Sequence, residues 1–200
     1  MRYALLFTAI ILAIKLPLTG NPALAHTVNS PAADTAAWLT SFKAFRTAVY
    51  NKDKQQVKTF LSFPVMNEAN EIWYVAYGND EKKMRSIPGK IKPFTEKDFD
   101  KYYDRLFSKS FIGALMKIKS EELYKKGTAE TPELRESNNT TYRMYASVDK
   151  AAKTLSLNLA FNTVIKDENG EVQDGGESNI IYEFKISNHK IVFRQLRIAG

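Results

Sequence analysis

From Tyr142 to Ile198, apolar and polar side chains alternate along the chain, and this period of two restricts the possible folds more than any other feature of the sequence. Successive side chains of a β-strand point to opposite faces of a sheet, so the alternation indicates strands with one buried and one solvated face. Asn188-His189 separates two of these runs and predicts a tight hairpin turn. The sequence therefore predicts an antiparallel sheet with strands at Tyr142–Val148, Leu155–Phe161, Ile180–Ile186 and Ile191–Ile198.

The part of the chain before this sheet has a helical period instead. Starting at Thr35, apolar side chains recur at intervals of four, three and four residues, as they do on one face of a helix: Trp38, Phe42, Phe45 and Val49. Asp53 predicts the N-cap of a short second helix, and residues 95–98 resemble a capping box that opens a third. More helix is expected at 108–118 and around residues 123–124. We therefore predict an α+β fold in which N-terminal helices pack on a curved, C-terminal antiparallel sheet.

Between these helices, Ile72 to Tyr77 is rich in aromatic and β-branched residues, and Gly78-Asn79-Asp80 follows it. This composition predicts a strand. The next segment, Glu81 to Lys92, is basic and is interrupted by Pro88-Gly89, which predicts an irregular loop.

The first 25 residues have the parts of a secretory signal peptide. Arg2 supplies the positive start, an apolar run follows it, and Ala23-Leu24-Ala25 supplies the small residues that signal peptidase requires. Lys15 and Pro17 interrupt the run before it reaches the roughly 20 apolar residues that a membrane span needs. We expect cleavage after Ala25, a flexible tail at 26–34 and a single domain at 35–200, in a periplasmic or secreted protein without a transmembrane segment.

Charge and residue types exclude several functions. The chain contains no cysteine, so it has neither disulfides nor thiolate chemistry, and this suits bacterial export. The mature chain keeps a formal charge of +5, because cleavage removes two of 29 basic residues against 22 acidic ones. No nucleic-acid-binding motif accompanies that charge. His26 lies on the tail and His189 in a turn, which argues against a catalytic histidine, a metal site and a cofactor.

The chain resembles small exported bacterial proteins of the nuclear-transport-factor-2-like, or cystatin-like, superfamily. The similarity covers about residues 35 to 198 and depends on three segments: 42–45, 53–64 with its Phe63-Pro64 break, and 94–107. The resemblance implies a curved sheet wrapped around a long helix into a cone that is often open at one end. Superfamily members include isomerases, dehydratases, hydrolases and transport adaptors, so the resemblance does not indicate one activity.

One group of residues is a candidate ligand-binding site. Large rings with polar tips stand next to basic side chains, a combination that favours an apolar or anionic small molecule. The alternative is that the rings pack in the core. The candidate site consists of Trp73, Tyr74, Tyr77, Lys82, Lys83 and Arg85.

The polar face of the predicted sheet is a second candidate surface. It could bind a protein partner, contact a second subunit in a homodimer or simply face water. Its residues are Arg143, Tyr145, Asn158, Asn162, Glu183 and Arg194.

These features favour an exported, non-enzymatic binding or interaction protein with a small-ligand pocket in the cone. One alternative is a small acid–base enzyme, isomerase- or dehydratase-like, that acts on an apolar ligand through Tyr and Asp or Glu. Glu183 is the carboxylate farthest inside a predicted strand, but the alternation places it on the polar face. Another alternative is a protein-partner module, such as an inhibitor or a toxin-neutralising protein. A carboxylate inside the cone would favour the enzyme, and a filled cone with an exposed aromatic face would favour the partner module.

Overall fold

The computed structural model describes residues 31–137, 139–166 and 172–200. The predicted signal peptide and cleavage site lie outside these residues. The described chain contains helices followed by strands: α1 Pro31–Tyr50, α2 Lys54–Lys58, a 3-10 turn Glu68–Asn70, α3 Glu71–Tyr77, α4 Glu81–Arg85, α5 Glu96–Leu106, α6 Lys109–Lys117, α7 Ser120–Lys126, β1 Thr128–Glu130, β2 Leu134–Arg135, β3 Thr140–Asp149, β4 Thr154–Lys166, β5 Val172–Ser187 and β6 Lys190–Ala199.

The strands form one antiparallel sheet in the order β1-β3-β4-β5-β6, with β2 also paired to β3. The predicted strands are confirmed as β3 to β6. Asn188 and His189 both have positive φ, as the predicted tight turn between β5 and β6 requires. The register aligns the apolar faces of all four long strands, as in the row Val148, Leu155, Phe184 and Phe193. The predicted α+β class, with helices before an antiparallel sheet, is confirmed.

Aromatic side chains join the helical layer to the sheet. Phe45 of α1 is fully buried, and its ring centroid lies 5.1 Å from that of Phe184 on β5 and 6.0 Å from that of Phe107. Phe111 of α6 packs 4.2 Å from Tyr182, whose hydroxyl donates to the Leu106 carbonyl. The space between the helices and the sheet is therefore filled by rings.

The predicted helix starts are confirmed in α2 and α5. The Asp53 side chain accepts a hydrogen bond from the Gln56 amide, and Thr95 and Asp98 form a reciprocal capping box. Such caps satisfy amide groups that a helix start leaves unpaired. The first helix begins at Pro31, four residues before the predicted start at Thr35.

The predicted strand at residues 72–77 is wrong, because this segment is helix α3. Trp73 and Tyr77 would lie on the same face in a strand and in a helix alike, because a spacing of four residues is a multiple of two and is also close to one helix turn. Ile72 and Ala76 decide between them: both are buried beside Trp73 and Tyr77, while Tyr74 is exposed. Tertiary packing overrides the strand propensity of this short run. The predicted loop at 81–92 is wrong in its first part, where Asp80 caps helix α4.

The outer edge of β6 is covered by acceptors from the helical half of the chain. Four β6 amides each donate a hydrogen bond to one of these acceptors: Ile191 to Ser41 Oγ, Phe193 to the Phe60 carbonyl, Leu196 to Asn67 Oδ1 and Ile198 to Glu71 Oε1. An edge strand whose amides are already paired cannot recruit another strand.

Candidate functional site

The sequence-predicted binding residues lie around one corner of the helical layer, where α3, α4, α5 and the segment 88–92 meet. Trp73 and Tyr77 are buried on the inner side of α3, and Tyr74 faces outward with 38% of its surface exposed. The three rings therefore do not form one continuous exposed patch. Whether any of them binds a ligand stays a prediction.

Lys92 completes this corner. Its ammonium nitrogen lies 3.9 Å from the centroid of the Trp73 ring and 2.8 Å from the Tyr77 hydroxyl, to which it donates. A cation over an indole face is attracted by the negative face of the ring. In the part of the chain that the structure describes, no carboxylate pairs with this half-buried ammonium group.

Asn70 fixes the position of Lys92. The Asn70 amide nitrogen donates to the carbonyls of Pro88 and Lys90, both at 2.9 Å, and its oxygen accepts from the Lys92 amide at 2.7 Å. The Trp73 indole donates to the Lys92 carbonyl at 2.9 Å. These bonds hold the backbone of the segment 88–92 against α3, which places the Lys92 side chain beside the Trp73 ring.

Other basic residues surround the same rings. Tyr102 of α5 packs 5.8 Å from Tyr77, and Lys101 lies 5.0 Å from the Tyr102 centroid. The Arg105 guanidinium lies next to Gly78, at the C-terminal end of α3. We call the group of Lys83, Lys92, Lys101 and Arg105 around Trp73, Tyr77 and Tyr102 the basic corner.

The predicted basic residues of α4 differ in their charge pairing. Lys83 bonds to Asp80 at 2.5 Å; this hydrogen bond raises the pKa of Lys83 and lowers that of Asp80. Arg85 pairs with Glu81 at 2.8 Å in an exposed pair. Lys82 is exposed. These pairs leave Lys92, which the sequence did not single out, as the cation closest to the rings.

Two depressions on the described part of the chain lie away from the basic corner. A wide groove of about 780 Å³ between α1 and α7 contains two ion pairs, Lys43 with Glu121 and Lys126 with Glu122, and is also lined by Lys119 and Lys125. A smaller depression of about 180 Å³ lies on the outer face of the sheet.

That outer face carries the polar residues predicted from alternation. Arg143, Tyr145, Asn158, Asn162 and Glu183 project from β3, β4 and β5 on the side opposite the core, as their register requires. Arg194 is the extra residue of a β-bulge in β6. Glu183 accepts hydrogen bonds from Gln195 at 2.6 Å and Arg197 at 3.3 Å. Its carboxylate therefore lies on the outer face, as the alternation predicted.

No group of three or more His, Asp or Glu side chains suited to hold a metal ion occurs among the described residues. Within the same residues, no helix combines the length and apolar character required to cross a bilayer.

Comparison with known proteins identifies no family for the chain. No protein-family model matches the chain, and no curated protein is significantly similar to it in sequence. Among solved structures, the chain is similar to one described as the beta subunit of an aromatic-ring-hydroxylating dioxygenase from Novosphingobium aromaticivorans. The two share 10% identity over 82% of this chain and 87% of that chain, with a TM-score of 0.28. A likeness of this size does not establish a shared function.

Proposed function

We propose that the protein is an exported, non-enzymatic binding protein that takes an amphipathic carboxylate at the basic corner. One observation carries the proposal: the Lys92 ammonium is held over Trp73 and beside Tyr77, with no carboxylate partner in the described chain. The export part of the proposal rests on the signal peptide predicted from residues 1–25.

The charge of the corner favours an anionic ligand end. Lys101 and Arg105 have no carboxylate partner in the described chain either, and Lys83 is neutralised only by Asp80. A charge-assisted hydrogen bond between an ammonium group and a carboxylate is stronger than a neutral one. A carboxylate beside Lys92 would thus gain a partner that the protein does not itself supply.

Apolar side chains stand exposed on the segments that frame the corner. Tyr74 of α3 is 38% exposed, Ile91 is 45% exposed, and Met66, just before the 3-10 turn, is 53% exposed. These surfaces favour a ligand whose anionic end continues into an apolar chain. The filled interior of the fold supports binding at the surface rather than in a central pocket.

The test uses Trp73 as an internal reporter. The chain has two tryptophans, so Trp38→Phe leaves the Trp73 indole, which touches Lys92, as the only source of the signal. Titration with decanoate at low ionic strength is expected to change the fluorescence, because a carboxylate that pairs with the ammonium alters the field at the ring. The change should weaken in about 0.5 M salt, where the Debye length is only a few ångströms.

Matched variants separate specific binding from general attraction. Lys92→Gln in the same background should weaken decanoate binding at least about tenfold, whereas Lys150→Gln, an exposed lysine in the β3–β4 turn, should leave it unchanged. Decyl glucoside, which has a similar tail without the charge, should bind more weakly than decanoate. Equal binding of decanoate to the Lys92 and Lys150 variants would overturn the proposal.

A further inference from the structure

The helical layer has an outward face on which the charges are basic. From residue 35 to residue 52, and again from residue 105 to residue 120, the chain contains no aspartate or glutamate. The first stretch includes most of α1, and the second includes all of α6. The charge on the face that these two helices share therefore comes from lysine and arginine.

The two helices lie side by side in antiparallel order. Lys43 of α1 pairs with Glu121 at 2.6 Å, and Arg46, one turn later, donates from Nη2 to the Met116 carbonyl at 2.9 Å. Residue numbers thus rise along α1 while they fall along its neighbour. Tyr50, one turn beyond Arg46, therefore lies level with the turn of α6 that precedes Met116.

Four cations on these elements form no ion pair in the described chain. The Arg46 guanidinium donates to the Ser120 hydroxyl and to the Met116 carbonyl, which are both uncharged. Burial lowers the pKa of Arg46, and no carboxylate offsets this effect. The other three cations are exposed lysines: Lys109, Lys117 and Lys119.

The carboxylates at the two ends of the face already have partners. Glu136 accepts a hydrogen bond from Ser110 at 2.5 Å, and Glu121 pairs with Lys43. The face therefore keeps a positive charge that an anionic partner can neutralise.

Two apolar side chains stand exposed among these cations. Tyr50 is 60% exposed and Met116 is 39% exposed. Met116 lies on the same side of α6 as Lys109, because seven residues are close to two helix turns. At a lipid surface, side chains such as Tyr and Met enter the boundary of the acyl chains, while the long stems of Lys and Arg reach the headgroups. This combination favours a bilayer over a soluble polyanion, which gains nothing from exposed Tyr50 and Met116.

We infer that this face of the helical layer binds the surface of an anionic phospholipid bilayer. Each basic side chain near such a surface strengthens binding about fivefold, so the four unpaired cations together supply roughly 600-fold. This inference does not depend on ligand binding at the basic corner. We call the group the lipid face; it consists of Arg46, Tyr50, Lys109, Met116, Lys117 and Lys119.

Co-sedimentation with vesicles tests the inference. The protein is expected to bind vesicles that contain phosphatidylglycerol and to bind vesicles of pure phosphatidylcholine much more weakly. About 0.5 M salt should release it, because the Debye length is then only a few ångströms. All proteins compared have the same N-terminus, so differences between variants come from the substituted residues alone.

Matched charge reversals locate the binding surface. Lys109→Glu should raise the dissociation constant for anionic vesicles at least about tenfold. A carboxylate in the first turn of α6 also suits the helix dipole, so the variant should keep its fold. Lys185→Glu is the control, because it changes the net charge equally on the outer face of the sheet, opposite the helices, and should leave binding unchanged. Near-ultraviolet circular dichroism checks the fold of both variants.

Residue 116 distinguishes a bilayer from a soluble acidic partner. Met116→Ser should weaken binding to anionic vesicles at least about threefold, because part of the apolar contact is lost. The chain contains no cysteine, so Met116→Cys can carry a single environment-sensitive fluorophore. Its emission should move to shorter wavelength on anionic vesicles, whereas the same fluorophore on Lys185→Cys should not respond.

Four results would overturn the inference. They are absence of binding to anionic vesicles, equal weakening by Lys109→Glu and Lys185→Glu, an emission at residue 116 that vesicles do not change, and binding to soluble polyglutamate as tight as binding to vesicles. The last result would indicate an acidic protein as the partner of this face.

Discussion

Tyr103 makes the stability of the protein sensitive to alkaline pH. Its side chain is fully buried, and burial raises the pKa of the phenol from 10.0 to about 12. The folded chain therefore keeps a proton that the unfolded chain releases. The resulting stabilisation is complete below pH 10 and is lost as the pH rises towards 12, by about 2–3 kcal/mol at 1.36 kcal/mol per unit.

Tyr103→Phe removes this dependence. The hydroxyl donates only a long 3.4 Å bond to the Val49 carbonyl, so the variant should lose little stability at neutral pH. We expect the free energy of unfolding in urea to fall less for the variant than for the wild type as the pH rises from about 9 to about 12. Burial also raises the pKa of Tyr182, but that residue is present in both proteins and cancels in the comparison. A difference that stays constant with pH would contradict the prediction.

At the same scale, individual contacts were predictable where two patterns agreed. The helical stripe selects Phe45 as an inward residue, and alternation selects Phe184, and their rings lie 5.1 Å apart. Lys92 was not predictable in this way. Its position depends on Asn70, 22 residues earlier, and no local pattern links an asparagine to a lysine in a proline-interrupted segment.

Among the elements, β6 depends on side chains that only tertiary structure brings to it. Asn67 is fully buried, and its Oδ1 accepts from the Leu196 amide at 2.8 Å. Asn67→Ala should leave that amide unpaired and lower the free energy of unfolding by about 1–3 kcal/mol. Glu71→Gln keeps an acceptor for Ile198 at the exposed end of the strand and should cost less than about 0.5 kcal/mol.

Denaturant unfolding and amide hydrogen exchange measure both effects. The Leu196 amide should exchange faster in Asn67→Ala than in the wild type, while amides in β4 should change only as much as the global stability does. An equal loss of unfolding free energy in the two variants, or unchanged protection of the Leu196 amide, would show that the Asn67 hydrogen bond does not hold the strand.

Sequence patterns predicted some of the helices and strands and failed at others. Long alternating runs identified β3 to β6 and an apolar stripe identified α1, because these patterns extend over several periods. The N-cap residues identified the starts of α2 and α5. Residues 72–77 are too short to distinguish the helical period from the strand period. Trp73 and Tyr77 satisfy both periods, and the choice is made by contacts with Phe94 and Tyr102, which the sequence does not place.

For the whole molecule, export is the first expectation to test. Expressed in a bacterium with a C-terminal tag, the protein should be found in the periplasm or the medium, with a mass that begins at His26. Signal peptidase cleaves after a small residue, and Ala23-Leu24-Ala25 supplies the small residues it reads. A membrane-bound form that retains Met1 to Ala25 would contradict the expectation.

The candidate sites were predictable to different extents at this scale. Alternation alone assigned Arg143, Tyr145 and Asn158 to one face, because strand faces are fixed by period two. It did not give the order of strands across the sheet, in which β1 and β6 lie at opposite edges. At the basic corner, the aromatic and basic residues were identified as neighbours, but their division between core and surface followed from α3 being a helix.

The four bonds that cover β6 also determine when the molecule can be completed. They join residues separated by 127 to 150 positions, so the helical half is held in place by β6, which is synthesised after every segment that it contacts. A nascent chain that lacks residues 190–199 also lacks the buried side chains of Ile191, Phe193 and Leu196, so apolar surface such as the Phe184 ring, 5.6 Å from Phe193, stays open to proteases and chaperones. Because contacts so distant in sequence form slowly, we expect folding to be completed only after residues 190–199 have been made. The covered edge therefore also distinguishes complete chains from truncated ones, because chains that lack β6 keep apolar surface exposed.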